Sequence, residues 1–260
     1  MAISSLFLIL AILLLLLALG VPIAYSIGIA ALTAILPTMS LDVSVVTAAQ
    51  RTFVGMSSFS LTAIPFFILA GNLMNQGGIA KRLVDFVLAL LGKLPGSLLV
   101  TNIGANALFG AISGSASAAA AAVGSMVRQG EEDQGYEKAL CGATNAASAP
   151  SGLLIPPSNA LITYSLVSGG TSVAALFLAG YIPGVLWALC CMAVAVCIAV
   201  KKGYQVTPGK YDWKNLGVST LRAIPSLSLI LVVIGGIVKG VFTATEGSAI
   251  AVVYALFLGI

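Results

Sequence analysis

Long apolar runs separated by short polar breaks dominate this chain. Residues 3–20, 22–36, 61–73, 140–166, 173–200, 224–238 and 248–260 contain no Asp, Glu, Lys or Arg, and predict helices that cross a bilayer. Gly20-Val21-Pro22 predicts a tight turn between the first two. Residues 43–58 predict an interfacial helix. Residues 79–93 set Leu83, Val84, Val87, Leu88 and Leu91 on one face, with Lys81, Arg82 and Asp85 near the start. That pattern predicts an amphipathic helix lying along the membrane surface.

Two segments depart from the simple spanning pattern. The first is 97–127. At the roughly 1.5 Å rise of an α-helix, its first arm (97–112) reaches only about 24 Å, and the hydrocarbon core is about 30 Å thick. The second arm (118–127) is shorter still. Ser113-Gly114-Ser115-Ala116-Ser117 joins them. Two short arms with a Gly/Ser tip predict a re-entrant helical hairpin. Irregular backbone at that depth persists only where protein or a cavity surrounds it, so the tip is a candidate binding site and points to transport. In the first arm Asn102 and Asn106 are four apart, hence on one face, with Thr101 beside them. The second arm is alanine from Ala118 to Ala122, which lets helix backbones approach closely.

The second departure is Thr144-Asn145-Ala146-Ala147-Ser148-Ala149-Pro150-Ser151-Gly152, followed by Ile155-Pro156-Pro157-Ser158-Asn159. Proline removes a backbone donor and clashes with the preceding turn. Three prolines and a glycine in one span predict unwinding around 149–157. The freed carbonyls, with Asn145 and Ser148 nearby, offer neutral oxygen ligands suited to a hard cation such as sodium.

Composition sharpens the class. Of 260 residues 59% are hydrophobic and 8% charged, against about 25% charged in soluble domains. Lipid must be the main solvent. The chain has no histidine, which argues against a His relay or a His metal site. Cys141, Cys190, Cys191 and Cys197 lie in apolar segments without metal-ligand spacing and predict small buried hydrophobes. No metal site beyond sodium and no cofactor is expected. The net charge of +4 is no nucleic-acid signature, because the basic residues flank the spans.

Charge also predicts topology. With the 201–222 loop cytoplasmic and 97–127 returning to its own side, ten of the twelve basic residues face the cytoplasm, leaving Arg51 and Lys239 outside. A full crossing at 97–127 divides them more evenly. The N-terminus is then periplasmic. No basic residue precedes the apolar run at Ile3, so it reads as a retained span rather than a signal peptide. The chain stops inside an apolar run and is expected to continue beyond Ile260.

Carboxylates are sparse. Glu246, three after Thr243, fits a capping box. Glu131-Glu132-Asp133 with Glu137 predicts a solvated turn. No acid lies within a predicted span, so proton coupling through a buried acid is not expected. Arg51, on the predicted outer side, is a candidate contact for an anionic substrate or a partner, or else an interfacial anchor or an ion pair with Asp42.

Three segments together resemble a known family: 63–74 (AIPFFILAGNLM), 110–117 (GAISGSAS) and 154–158 (LIPPS). They resemble the large membrane subunit (the M component) of tripartite ATP-independent periplasmic, or TRAP, transporters. The resemblance covers essentially the whole chain, as an N-terminal portion lacking the second hairpin and second broken helix of an inverted repeat. It implies a secondary transporter in the bacterial inner membrane, driven by a sodium gradient, importing an organic anion from a periplasmic binding protein. It also implies a small membrane partner (the Q component) and an elevator mechanism. Sialic acid and four-carbon dicarboxylates are the family's notable substrates, and the reading leans to sialic acid.

The expected fold is therefore an all-α polytopic membrane protein. It forms an elevator-type transporter half, with a re-entrant hairpin and a broken transmembrane helix. Residues 1–95 are expected to give scaffold spans and an interfacial arm helix, 96–170 the transport part, and 171–260 further spans opening the second repeat. Ser113, Gly114, Ser115, Asn145, Ser148 and Pro150 are the expected sodium site. Arg51, Asn106, Ser117 and Ser158 are candidate substrate or partner contacts. No catalytic residue is assigned. The rival reading is an ion channel whose re-entrant loop is a selectivity filter. An intramembrane enzyme lacks a Ser/His pair, a carboxylate dyad or a metal cluster.

Overall fold

The computed structural model describes residues 2–204 and 213–259, and every regular element among them is helical. Two compact units divide the chain at Ser58. In the first, α1 (Ala2–Ala18) packs against α2 (Ile23–Ile35), which touches α3 (Leu41–Met56). Gly20, with φ 79°, makes the expected turn, and Pro22 opens α2. Arg51 is exposed on α3. The alternative pair with Asp42 does not form: nine positions along one helix separate the two residues by about 13 Å.

The second unit begins with a 3-10 turn (Phe59–Thr62). There follow α4 (Ala63–Gln76), α5 (Ile79–Leu91), α6 (Ser97–Ser113), α7 (Ala116–Asp133), α8 (Lys138–Leu154), α9 (Asn159–Val167), α10 (Val173–Lys201), α11 (Trp213–Val238) and α12 (Ala244–Gly259). Among the described residues, α10 and α11 are long and apolar enough to cross a membrane. Ser5–Ala18, Ile23–Ile35, Ser97–Ser113 and Ala244–Gly259 are apolar but shorter. The outer surface is itself apolar: Ile182 is 76% exposed and Leu231 73%. Such a surface suits lipid, not water.

At the centre lies α6, buried along its whole length except Leu108. It packs against α4, α5, α7, α8 and α10. The α5 helix puts Ile79, Leu83 and Val87 inside, against α6 and α11. Its apolar face is thus covered by protein rather than turned to the membrane plane. Thr243 and Glu246 form the expected capping box at α12. The Glu246 carboxylate accepts from the Thr243 main-chain N–H at 2.8 Å, and the Thr243 hydroxyl accepts from the Glu246 N–H at 3.3 Å.

Several expected boundaries move. The α11 helix starts at Trp213 and absorbs Lys214, Arg222 and Pro225. Lys210 lies outside the described residues. Two cysteines, Cys190 and Cys197, are exposed rather than buried, because they point away from the packed side of α10. The second hairpin arm runs to Asp133, well beyond Val127. Its polar end stays helical, with an Arg128–Glu132 pair at i,i+4 spacing.

Pro150 does not unwind α8. The helix continues to Leu154, and the break falls at residues 155–158. One proline inside a helix costs one backbone bond, here the donor that would close on the Ala146 carbonyl. Pro156 acts on its predecessor instead: it biases Ile155 to extended backbone, observed at φ −76°, ψ 124°. Pro157 removes a second donor directly after it.

Candidate functional site: a hairpin tip against a helix break

The α6–α7 connection is two residues long. Gly114 closes α6 in a left-handed conformation (φ 64°), and its N–H donates to the Gly110 carbonyl at 2.8 Å. A side chain at that φ costs about 1–2 kcal/mol, which is why glycine stands there. Ser115 opens α7, its hydroxyl accepting from the Ala118 N–H at 3.3 Å. The arms run antiparallel: Gly130 of α7 lies against Leu98, at the opposite end of α6 from the tip.

The α8–α9 break repeats this chemistry. Ser158 opens α9, its hydroxyl accepting from the Leu161 N–H at 3.3 Å. The two breaks meet. The Asn159 N–H donates to the Gly114 carbonyl at 3.2 Å. A Cβ built on Gly114 would lie 3.1 Å from the Pro157 carbonyl oxygen and 3.2 Å from Asn159 Oδ1. Asn159 Oδ1 is buried and has no hydrogen-bond partner. The Ser113 hydroxyl is also buried, 3.4 Å from the Ser115 carbonyl. Gly71 of α4 closes the tip from the other side, where a Cβ would meet Ser113 Cβ at 2.7 Å.

A second polar cluster lies deeper. The α6 stripe Asn102, Asn106, Gly110 faces the α8 stripe Asn145, Ser148, Gly152, so the two helices run parallel. Asn106 Nδ2 lies 2.8 Å from Asn102 Oδ1, 2.9 Å from Asn145 Oδ1 and 2.8 Å from Ser148 Oγ. Two amide hydrogens thus serve three acceptors. Asn145 Nδ2 donates to the Ala120 carbonyl at 3.0 Å, tying α7 in as well. Asn106 Oδ1 and Asn102 Nδ2 are buried without partners. Interhelical amides of this kind substitute for water in a dry interior.

The six expected sodium residues therefore fall in two places. Ser113, Gly114 and Ser115 sit at the tip. Asn145 and Ser148 sit with Asn106, about 10 Å down α6 at seven helical residues. Pro150 lies on α8 between them. Ser158 caps α9, and Ser117 Oγ lies 3.1 Å from Ser115 Oγ. Arg51 belongs to the other compact unit. Pro157 and Asn159, which complete the tip, lie in the proline-rich segment after α8 and are not among the expected site residues. Their signal was the mirrored Ser-cap after a break.

One residue departs outright from expectation. Glu131, predicted to be solvated, is 3% exposed, and its Oε1 has no hydrogen-bond partner. Burial pushes its carboxyl above the ordinary range, with the Cys141 thiol and the Asn102 amide pulling the other way. The chain thus has a buried acid near the C-terminal end of α7, away from the hairpin tip.

Helices of spanning length, an apolar outer surface and an enclosed polar seam define a polytopic α-helical membrane protein. The family described as "Tripartite ATP-independent periplasmic transporter, DctM component" matches residues 10–260. The chain belongs to that family and is the large component of a TRAP transporter. It is 41% identical over 240 residues to the sialic acid TRAP transporter large permease protein SiaM of Vibrio cholerae, covering 92% of this chain and 55% of that protein. It is 37% identical over 254 residues to the C4-dicarboxylate TRAP transporter large permease protein DctM of Rhodobacter capsulatus, covering 93% of this chain and 57% of that protein. An uncharacterized protein of Salmonella typhimurium, YgiK, is 55% identical over 243 residues, 93% of this chain and 55% of that protein. The chain spans about half the length of the curated relatives it matches. The relatives with a named activity are transporter permeases, which disfavours the channel reading.

Proposed function

We propose that the full protein imports an organic acid across the bacterial inner membrane, coupled to sodium. A periplasmic binding protein hands over the substrate, and a small membrane subunit completes the complex. The observation that supports this is the contact between Gly114 and Asn159. Two interrupted helices converge there, with the Pro157 carbonyl and the unpartnered Asn159 Oδ1 both beside Gly114. Neutral oxygens suit a hard monovalent cation. Ser113, Gly114 and Ser115 supply one half of this sodium site and the α8–α9 break the other.

Asn145 and Ser148 act from below by holding Asn106, which fixes α6 against α8 beneath the ion. Pro150 frees the Ala146 carbonyl. The N-termini of α7 and α9 are positive dipole ends that favour a carboxylate, with Ser117 and Ser158 beside them. Sodium bridging the hairpin and the broken helix favours substrate there, and the 96–170 segment carries both across as an elevator. The hairpin re-enters from the cytoplasm, and the N-terminus is periplasmic. Sialic acid is the first substrate to test, a four-carbon dicarboxylate the second.

The test is uptake by vesicles containing the complete complex. Uptake is expected to collapse without a sodium gradient, and full-rate uptake without one refutes the coupling. Asn145→Ala or Ser148→Ala is expected to raise the sodium concentration for half-maximal uptake several-fold. Unchanged sodium dependence removes those residues from the site.

A further inference from the structure

A cavity of about 450 Å³ opens between α6, α7 and α8, at the end of the hairpin away from the tip. Glu131 and Ala116 are fifteen residues apart on α7, or about 22 Å. The cavity is lined by Asn102 of α6, by Arg128, Glu131 and Glu132 of α7, and by Lys138, Cys141 and Asn145 of α8, with Tyr136 from the turn between. Of the charged residues of α5, which also packs on α7, none lines it.

The cavity's two cations and two carboxylates are equal in number but not paired one to one. Arg128 Nε sits 2.9 Å from Glu132 Oε1, and Lys138 Nζ sits 3.6 Å from the same oxygen. Both cations at the mouth therefore address Glu132. Glu131 lies deeper, more than nine-tenths buried, with Oε1 unpartnered. The Tyr136 hydroxyl is likewise buried and unpartnered. A buried carboxylate without an ion-pair partner of its own either takes up a cation or takes up a proton.

We propose that this cavity binds one monovalent cation, a sodium ion or a proton, on the Glu131 carboxylate. The site is separate from the hairpin tip, and it stands whether or not the tip holds sodium. The unpartnered Asn102 Nδ2 and Tyr136 hydroxyl belong to residues lining the same cavity. Asn102 and Asn145 of the amide cluster line the cavity as well. A cation held at Glu131 therefore lies on a polar path from the hairpin's open end toward that cluster.

The experiment uses the full-length protein in its purified complex. Equilibrium binding of radioactive sodium gives stoichiometry and half-saturation, and a pH indicator in weak buffer counts protons. Glu131→Gln is expected to bind one cation fewer than the parent. If the ligand is sodium, the sodium count falls by one per chain. If it is a proton, the sodium count holds, but one proton fewer is released above the ordinary glutamate range. Glu131→Asp restores the lost cation in part, and Glu132→Gln leaves the count unchanged.

A second readout needs no substitution at Glu131. In a chain whose only cysteine is Cys141, a sodium ion bound at Glu131 slows alkylation of that thiol at fixed pH. Glu131→Gln matching the parent in sodium count, half-saturation and protons released, with Cys141 labelling at fixed pH insensitive to sodium, overturns the proposal. Ser113→Ala reports on the tip alone: its failure to change sodium binding sinks the tip reading and leaves this one standing.

Discussion

Gly110 of α6 and Gly152 of α8 cross backbone to backbone: a Cβ built on Gly110 would lie 2.1 Å from Gly152 Cα. No side chain intervenes, so the two helices set their common register there. That register brings Asn106 to Ser148 and carries both helices to their breaks at one level. Gly110→Ala or Gly152→Ala must push the helices apart. Overpacking of this kind costs about 1–3 kcal/mol. The expected outcome is a lower Tm for the purified full-length protein, together with weaker sodium dependence of uptake. A Tm equal to the parent's contradicts the close crossing.

The tip separates two roles. Gly114→Ala forces a left-handed backbone on alanine, at a cost of about 1–2 kcal/mol. It also brings a methyl near the Pro157 carbonyl, so stability and uptake both fall. Asn159→Ala keeps the main-chain N–H that meets Gly114 and deletes only Oδ1. It is expected to leave Tm nearly unchanged while raising the sodium concentration for half-maximal uptake several-fold. Thermal unfolding and sodium titration of uptake on the same preparations check both. An Asn159→Ala protein with unaltered sodium dependence removes that oxygen from the ion's ligands.

Glu131 predicts a pH dependence. Burial raises its carboxyl in the folded chain above the unfolded value. Between the two values the native state binds more protons than the unfolded state, so stability falls as pH rises. The loss begins near about pH 4.3, the ordinary glutamate value, and levels off above the folded one. Glu131→Gln lacks this slope. In sodium-free buffer the parent is expected to match the variant in Tm at the acid end and to fall below it as pH increases. Parallel Tm curves across that range contradict an uncompensated buried carboxylate.

How far the sequence reveals this arrangement depends on which physical signal each element leaves. Apolar runs announced the helices, and the Gly/Ser tip and double proline announced both breaks, because these residues act on the local backbone. Pro150 misled: it has the same local chemistry as Pro156, yet packing against α6 holds α8 together across it. Glu131 was read with its acidic neighbours as solvated. It in fact completes the stripe Ala119, Val123, Val127, Glu131, whose members are four apart and all buried. Helical periodicity carried through the acidic run would have singled it out. The pairing of Gly114 with Asn159 left no trace at all in local pattern, because the two residues are forty-five positions apart.

The central claim is that the α6–α7 hairpin enters the membrane and returns to the side it came from. Cysteine labelling tests it most directly, in a cysteine-free, full-length protein within intact cells. Leu94 and Gln129 are both exposed and flank the hairpin's open end. Leu94→Cys and Gln129→Cys are expected to resist a membrane-impermeant thiol reagent added outside, and to react together once the cytoplasmic face is opened. Labelling of one from the periplasm and the other from the cytoplasm would make the segment a full crossing and contradict the account.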